Sequence, residues 1–142
     1  MQAFAALLER LILTPSRNSK LTLIVDYLRR TPDPARGWAL AAITGDLAIA
    51  SLKPAMIRGL VATRVDPILF NLSYDYVGDL AETVSLIWPT RSGANRAPDL
   101  AEVVDTLHQS TRAQAPAHAE RWLDALDPAG RWALLKFITG GL

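Results

Sequence analysis

Apolar residues recur at positions 4, 7, 8 and 11, at 21, 24, 25 and 28, and at 100, 103, 104 and 107. Each set traces one stripe along a helix of 3.6 residues per turn, and no segment alternates cleanly at the period of two that a half-buried strand needs. Helix starts are also written into the chain. Thr14-Pro15, Asp33-Pro34, Asp66-Pro67 and Asp127-Pro128 each set a capping side chain before a proline, whose missing amide would find no partner in a first turn anyway. Asp79 with Glu82, and Asp99 with Glu102, put an acceptor at an N-cap and a carboxylate near the positive helix end, in the manner of a capping box. The pattern predicts an all-α domain of about nine helices, near residues 2–13, 15–30, 34–44, 53–64, 67–77, 79–88, 99–110, 117–126 and 128–139.

The longest irregular stretch runs from Pro89 to Pro98, PTRSGANRAP, and divides the chain unequally. The smaller part would be marginal on its own, so a shared core and a single domain over residues 1–142 are expected. Arg91 and Arg96 in this stretch either reach toward a phosphate or decorate a connector; the sequence leaves both open.

One phrase is written twice. RGWALAAITGDL, from Arg36, and GRWALLKFITGGL, from Gly130, both set a tryptophan near the start of an Asp-Pro helix and a glycine, Gly45 or Gly140, where that helix should end. A third Gly-x-Leu, Gly78-Asp79-Leu80, stands between two predicted helices. Glycine tolerates the left-handed conformation that ends helices, and the free amides at a following N-terminus can bind phosphate. Plain helix termination explains the same residues.

Composition narrows the function classes. Of 142 residues, 50% are hydrophobic and none is cysteine, so disulfides and thiolate metal ligands are excluded. The early apolar run is interrupted by Glu9 and Arg10, which suits neither a secretory signal nor a membrane span. A cytoplasmic protein is expected. The net charge is only +1, yet residues 1–64 hold nine Lys/Arg against four acids and residues 65–142 hold six against ten. One half could face a polyanion while the other does not.

Three stretches carry a family likeness: TPSRNSKL (Thr14 to Leu21), SYDYVGDLAETVSLIWP (Ser73 to Pro89) and RWALLKFITGGL (Arg131 to Leu142). Together they resemble the N-terminal DNA-binding domain of bacterial-type ATP-dependent DNA ligases, over essentially the whole chain. The resemblance implies an all-helical domain in two pseudo-symmetric halves that grips the backbone of nicked duplex DNA through inter-helix turns, in DNA repair, replication or recombination. Carried over, the family's Ser-x-Arg-x-x-Lys element places DNA contacts at Arg17 and Lys20, three apart on one helix face. The turns correspond to Gly78-Asp79 and to Thr139-Gly140-Gly141, with Lys53 and Lys136 as further candidate DNA-binding cations. The family pattern runs on past Leu142 with a basic residue and a glycine, so the closing turn is cut short and the chain is expected to be part of a larger enzyme. Asp46 and Asp79 stand where a phosphate would prefer no carboxylate, so those turns either offer amides or only cap helices.

The chemistry of ligation is missing. The Lys-x-Asp-Gly nucleophile motif of that family occurs nowhere, since Lys20, Lys53 and Lys136 are followed by Leu-Thr, Pro-Ala and Phe-Ile. No P-loop or Gly-x-Ser-x-Gly replaces it, and His108 and His118 lie ten apart without a nearby acidic pair at ligand spacing. Asp75 and Asp79, an imaginable acid/base pair, read better as capping residues across a helix break. Trp38, Trp88, Trp122 and Trp132 lie in apolar stripes and read as core rather than base-stacking platforms. The resemblance therefore implies a monomeric, inactive module with no cofactor of its own, ATP and magnesium belonging to absent catalytic domains of the same polypeptide. Its partners would be nicked double-stranded DNA and those domains, with no membrane. The rival from another class is an all-helical protein-interaction scaffold without DNA binding, although no repeat period supports a solenoid.

Overall fold

The helical period is realised throughout. The structure is a computed structural model that describes residues 1–89, 96–140 and 142. Among these residues it has nine helices and no strand: α1 (Gln2–Leu13), α2 (Arg17–Arg30), α3 (Ala35–Thr44), α4 (Pro54–Ala62), α5 (Pro67–Val77), α6 (Leu80–Ile87), α7 (Leu100–Gln109), α8 (Ala115–Ala125) and α9 (Pro128–Thr139). The all-α prediction is borne out. Most of the stretch from Pro89 to Pro98, with Arg91, lies outside the described residues, as does Gly141.

Local grammar explains most helix starts. Asp66, Asp79, Asp99 and Asp127 each cap a helix, their carboxylates accepting from the amides of Ile68, Glu82, Glu102 and Gly130 at 2.8 Å in every case. Two predicted starts differ. Helix α2 is capped by Ser16 rather than Thr14, whose hydroxyl instead donates to the carbonyl of Arg10 at 2.6 Å, closing α1. Asp33 caps nothing, because α3 starts one position later with Pro34 at its N-cap and no side-chain bond there.

Helix α9 is the centre. Gly130, Arg131, Ala133, Leu134, Leu135, Phe137 and Ile138 are all buried, so neighbours cover it on nearly every side, as a helix without a polar face requires. Helices α1 and α6 flank it. Phe137 meets Phe4 edge to face at 5.5 Å, while the C-terminal residues of α1 and α6 gather around Pro128 and Trp132 at its other end. Both flanking helices therefore run antiparallel to α9. Outside this trio, α5 lies against α6, α3 against α7 and α4 against α8. Helix α7 buries Leu100, Val103, Val104 and Leu107, the predicted stripe.

Helix α2 departs from expectation. Its stripe at 21, 24, 25 and 28 is only half covered, with Leu21 and Val25 exposed and no residue of the helix buried. It rests on α1, where Tyr27 meets Phe4 at 6.1 Å, and touches α3, so much of its surface faces solvent. The two copies of the repeated phrase share their ends and not their surroundings. Gly45 and Gly140 close their helices at φ 82 and 75, but α3 buries only Ala39 and Ala42. The pseudo-symmetry that the resemblance implies is not shown by this arrangement.

Candidate nucleic-acid interface

The first turn of α2 carries Arg17 and Lys20, both exposed, and no acidic residue. The ion pairs of the described residues engage Arg30, Arg64, Arg96 and Lys136, leaving Arg17 and Lys20 outside them. Two cations at the positive end of a helix dipole oppose it rather than complement it. Ser16 offsets this only weakly, its hydroxyl accepting from the amide of Ser19 at 3.4 Å. Arg10 and Arg29 extend the basic surface along the shallow groove between α1 and α2, where Asp26 is the acidic member and pairs with Arg30 at 3.2 Å.

At the far end of α9 the two glycine turns come together. Gly78, at φ 78, ends α5, and Asp79 at once caps α6, so this junction is a tight helix-turn-helix. Antiparallel packing sets that junction beside the close of α9, where Lys136 Nζ reaches Asp79 Oδ1 at 2.9 Å. Burial alone would push the Asp79 carboxyl up, but the Lys136 ammonium and the Glu82 amide together hold it below the usual carboxylate range. Lys136 is thereby committed within the fold, its side chain only 18% exposed. Gly140 follows at φ 75, and the Thr139 hydroxyl donates to the Leu135 carbonyl at 2.6 Å.

Gly78, Asp79, Lys136, Thr139 and Gly140 thus form one cluster, and Arg17 and Lys20 do not join it. The link from α1 to α2 lies at the start of α9, so the basic turn and the glycine turns fall toward opposite ends of a helix about 18 Å long. Lys53 belongs to neither group. It is the exposed N-cap of α4, at the end of an extended segment that Ser51 fastens to α7 by donating to the Leu107 carbonyl at 2.7 Å.

The Gly45 turn is not a helix-turn-helix. The amides of Asp46 and Leu47 both donate to the Ala41 carbonyl, at 2.8 and 3.1 Å, and the Asp46 carboxylate accepts from the Thr44 hydroxyl at 3.0 Å. Those amides are consumed in closing α3, so of the two possibilities at Asp46 the fold uses capping. Arg96 is paired with Glu102 at 3.0 Å, at the start of α7.

A buried polar cluster has no counterpart in the sequence reading. Arg64, 9% exposed in its side chain, bonds Asp124 at 2.7 Å and Glu120 at 2.9 Å and lies 4.6 Å over the ring of Trp88. Trp88 Nε1 donates to the same Asp124 at 3.0 Å. Arg131, 3% exposed, donates to the carbonyls of Leu123 and Trp88 at 2.8 and 3.3 Å. The hydrogen bonds to Asp124 raise the Arg64 pKa against the opposing effect of burial. Partners 56 and 60 residues away leave no local signal. One cation of the basic N-terminal half is thus spent on acids of the other half.

Trp88 and Trp122 are buried and Trp38 and Trp132 half-buried against the same core, so the tryptophans act as packing residues. His108 bonds the Ala48 carbonyl at 3.0 Å, and His118 stacks on Trp122, where burial and then Arg121 push its pKa down. Among the described residues no cluster of three or more His, Asp or Glu side chains could hold a metal ion, and no helix is long and apolar enough to cross a membrane. Compared with protein families, curated proteins and solved structures, the chain matches none.

Proposed function

We propose that this domain binds the sugar–phosphate backbone of duplex DNA without reading base order, as the DNA-binding module of an ATP-dependent DNA ligase gripping a nick for its catalytic core. The observation that carries the reading is the first turn of α2, where Arg17 and Lys20 are exposed, adjacent, outside every ion pair described and opposed to the helix dipole. An approaching phosphate meets both cations and the positive helix end together. Toward the other end of α9, the Gly78-Asp79 and Thr139-Gly140 turns offer a second contact point, with Lys136 fixing the two turns to each other rather than reaching DNA. Lys53, the exposed N-cap of α4, adds a further cation.

In this reading the module lacks catalysis of its own, and ATP and magnesium are used by catalytic domains elsewhere in the same polypeptide. The scaffold reading is favoured by a different observation, the exposed apolar face of α5, where Ile68, Leu72 and Tyr76 stand 71%, 65% and 94% exposed. The test is titration of a labelled nicked duplex with the full chain and with Arg17→Ala/Lys20→Ala. Binding that the double variant loses supports the DNA reading, and no binding by the wild type leaves the scaffold.

A further inference from the structure

A second surface lies across the antiparallel trio. Helices α1 and α6 stand as two walls over the first turn of α9, enclosing an open groove of about 650 Å³. Trp132 forms its floor, and its apolar walls are Ile12 and Leu13 from α1 and Leu86 from α6, which are 70%, 81% and 63% exposed. Leu86 also borders the neighbouring depression of Leu72 and Tyr76, so the apolar surface continues from α1 across α6 onto α5. Soluble monomers seldom expose contiguous apolar patches beyond a few hundred Å² unless something binds there.

Among the described residues, the charged side chains lining the groove are both acidic. Glu9 stands on the α1 wall and Glu82 on the α6 wall, both exposed and outside the ion pairs described. Arg10, next to Glu9 in sequence, lines instead the other groove of α1, toward α2. We infer that the α1/α6 groove is a docking site for a cationic amphipathic helix of a partner protein. Its apolar stripe would lie on Trp132, Leu86 and Leu13, and lysines or arginines flanking that stripe would meet Glu9 on one side and Glu82 on the other. Helix-in-groove recognition reads such a partner through anchors at i, i+3, i+4 and i+7. Two acidic walls exclude an anionic partner, which sets this surface apart from the basic turn of α2 and from DNA.

The test uses the full chain and fluorescein-labelled peptides of about four helical turns, with leucines at helical period flanked by lysines, beside a twin with glutamate for every lysine. The wild type should bind the lysine peptide and not its twin. Glu9→Lys/Glu82→Lys should weaken lysine-peptide binding at least about tenfold and gain affinity for the glutamate peptide. Leu86→Ser should weaken binding of the lysine peptide by wild-type walls. All three changes fall on exposed positions, and circular dichroism checks that the helices persist. Equal binding of both peptides, or indifference to the charge reversal, would overturn the inference. So would a sedimentation experiment in which the chain dimerises and Leu86→Ser dissolves the dimer, since the occupant would then be a second copy.

Discussion

Lys136 Nζ sits 2.9 Å from Asp79 Oδ1, and this one contact fastens the last turn of α9 to the first turn of α6. Asp79 also accepts from the amide of Glu82 at 2.8 Å, so a single carboxylate both caps a helix and closes the junction between two glycine turns. Whatever those turns touch, they reach it as a unit.

The pair predicts a pH dependence. The folded state holds the Asp79 carboxyl below its ordinary range, so the stability it gives is present above the unfolded titration and is lost as pH falls through the folded value. Asp79→Asn keeps a capping side chain while removing the charge. Denaturant midpoints from neutral pH down to about pH 3 should therefore fall less in the variant than in the wild type. Equal falls would mean that Lys136 does not stabilise the ionised form.

Arg64 predicts a larger effect. Its guanidinium and the Asp124 carboxylate are both largely buried, with side chains 9% and 11% exposed. Removing one member of a buried pair leaves the other charge desolvated, at a cost of about 3–5 kcal/mol. Arg64→Ala should lose stability on that order in chemical denaturation, and Lys136→Ala, at a more exposed pair, clearly less. A loss below that of Lys136→Ala would refute the ranking.

Catalysis predicts an absence. With the Lys-x-Asp-Gly motif missing from the sequence, the isolated chain incubated with labelled ATP and magnesium should acquire no covalent label. Stable adenylate on Lys20, Lys53 or Lys136 would contradict it.

The sequence made the local features of the fold legible and left the long-range ones hidden. Asp66, Asp79, Asp99 and Asp127 cap helices as read, because a cap is settled within three residues. The stripe of α7 is buried as read, whereas that of α2 is half exposed: periodicity tells which face is apolar but not whether a neighbour covers it. Ser16 takes the cap expected of Thr14, since capping residues stand on both sides of Pro15 and the Thr14 hydroxyl is bonded back to the Arg10 carbonyl of α1. Lys136 and Asp79 could each be picked out singly, but their pairing spans 57 residues and needs the antiparallel setting of α6 on α9. The Arg64–Asp124 pair and the bond from Trp88 to the same carboxylate escaped notice for the same reason. That Arg17 and Lys20 share a face follows from a spacing of three, whereas their distance from the glycine turns depends on how α1 and α9 pack.

DNA binding by the first turn of α2 is the central claim, and fluorescence anisotropy of a nicked duplex across a salt series tests it most directly. Contacts confined to phosphate and sugar fix position without reading sequence, so affinity should be independent of base order. It should fall in the range of non-specific binding, roughly 10⁻⁴–10⁻⁶ M at physiological salt, and decline linearly on logarithmic axes as salt rises. Arg17→Ala/Lys20→Ala should weaken binding to every duplex alike and flatten that slope by about one unit per lost phosphate contact, with an unchanged circular dichroism spectrum. A wild type that shows no salt-dependent binding below its solubility limit, or a double variant that binds as well as the wild type, would contradict the account.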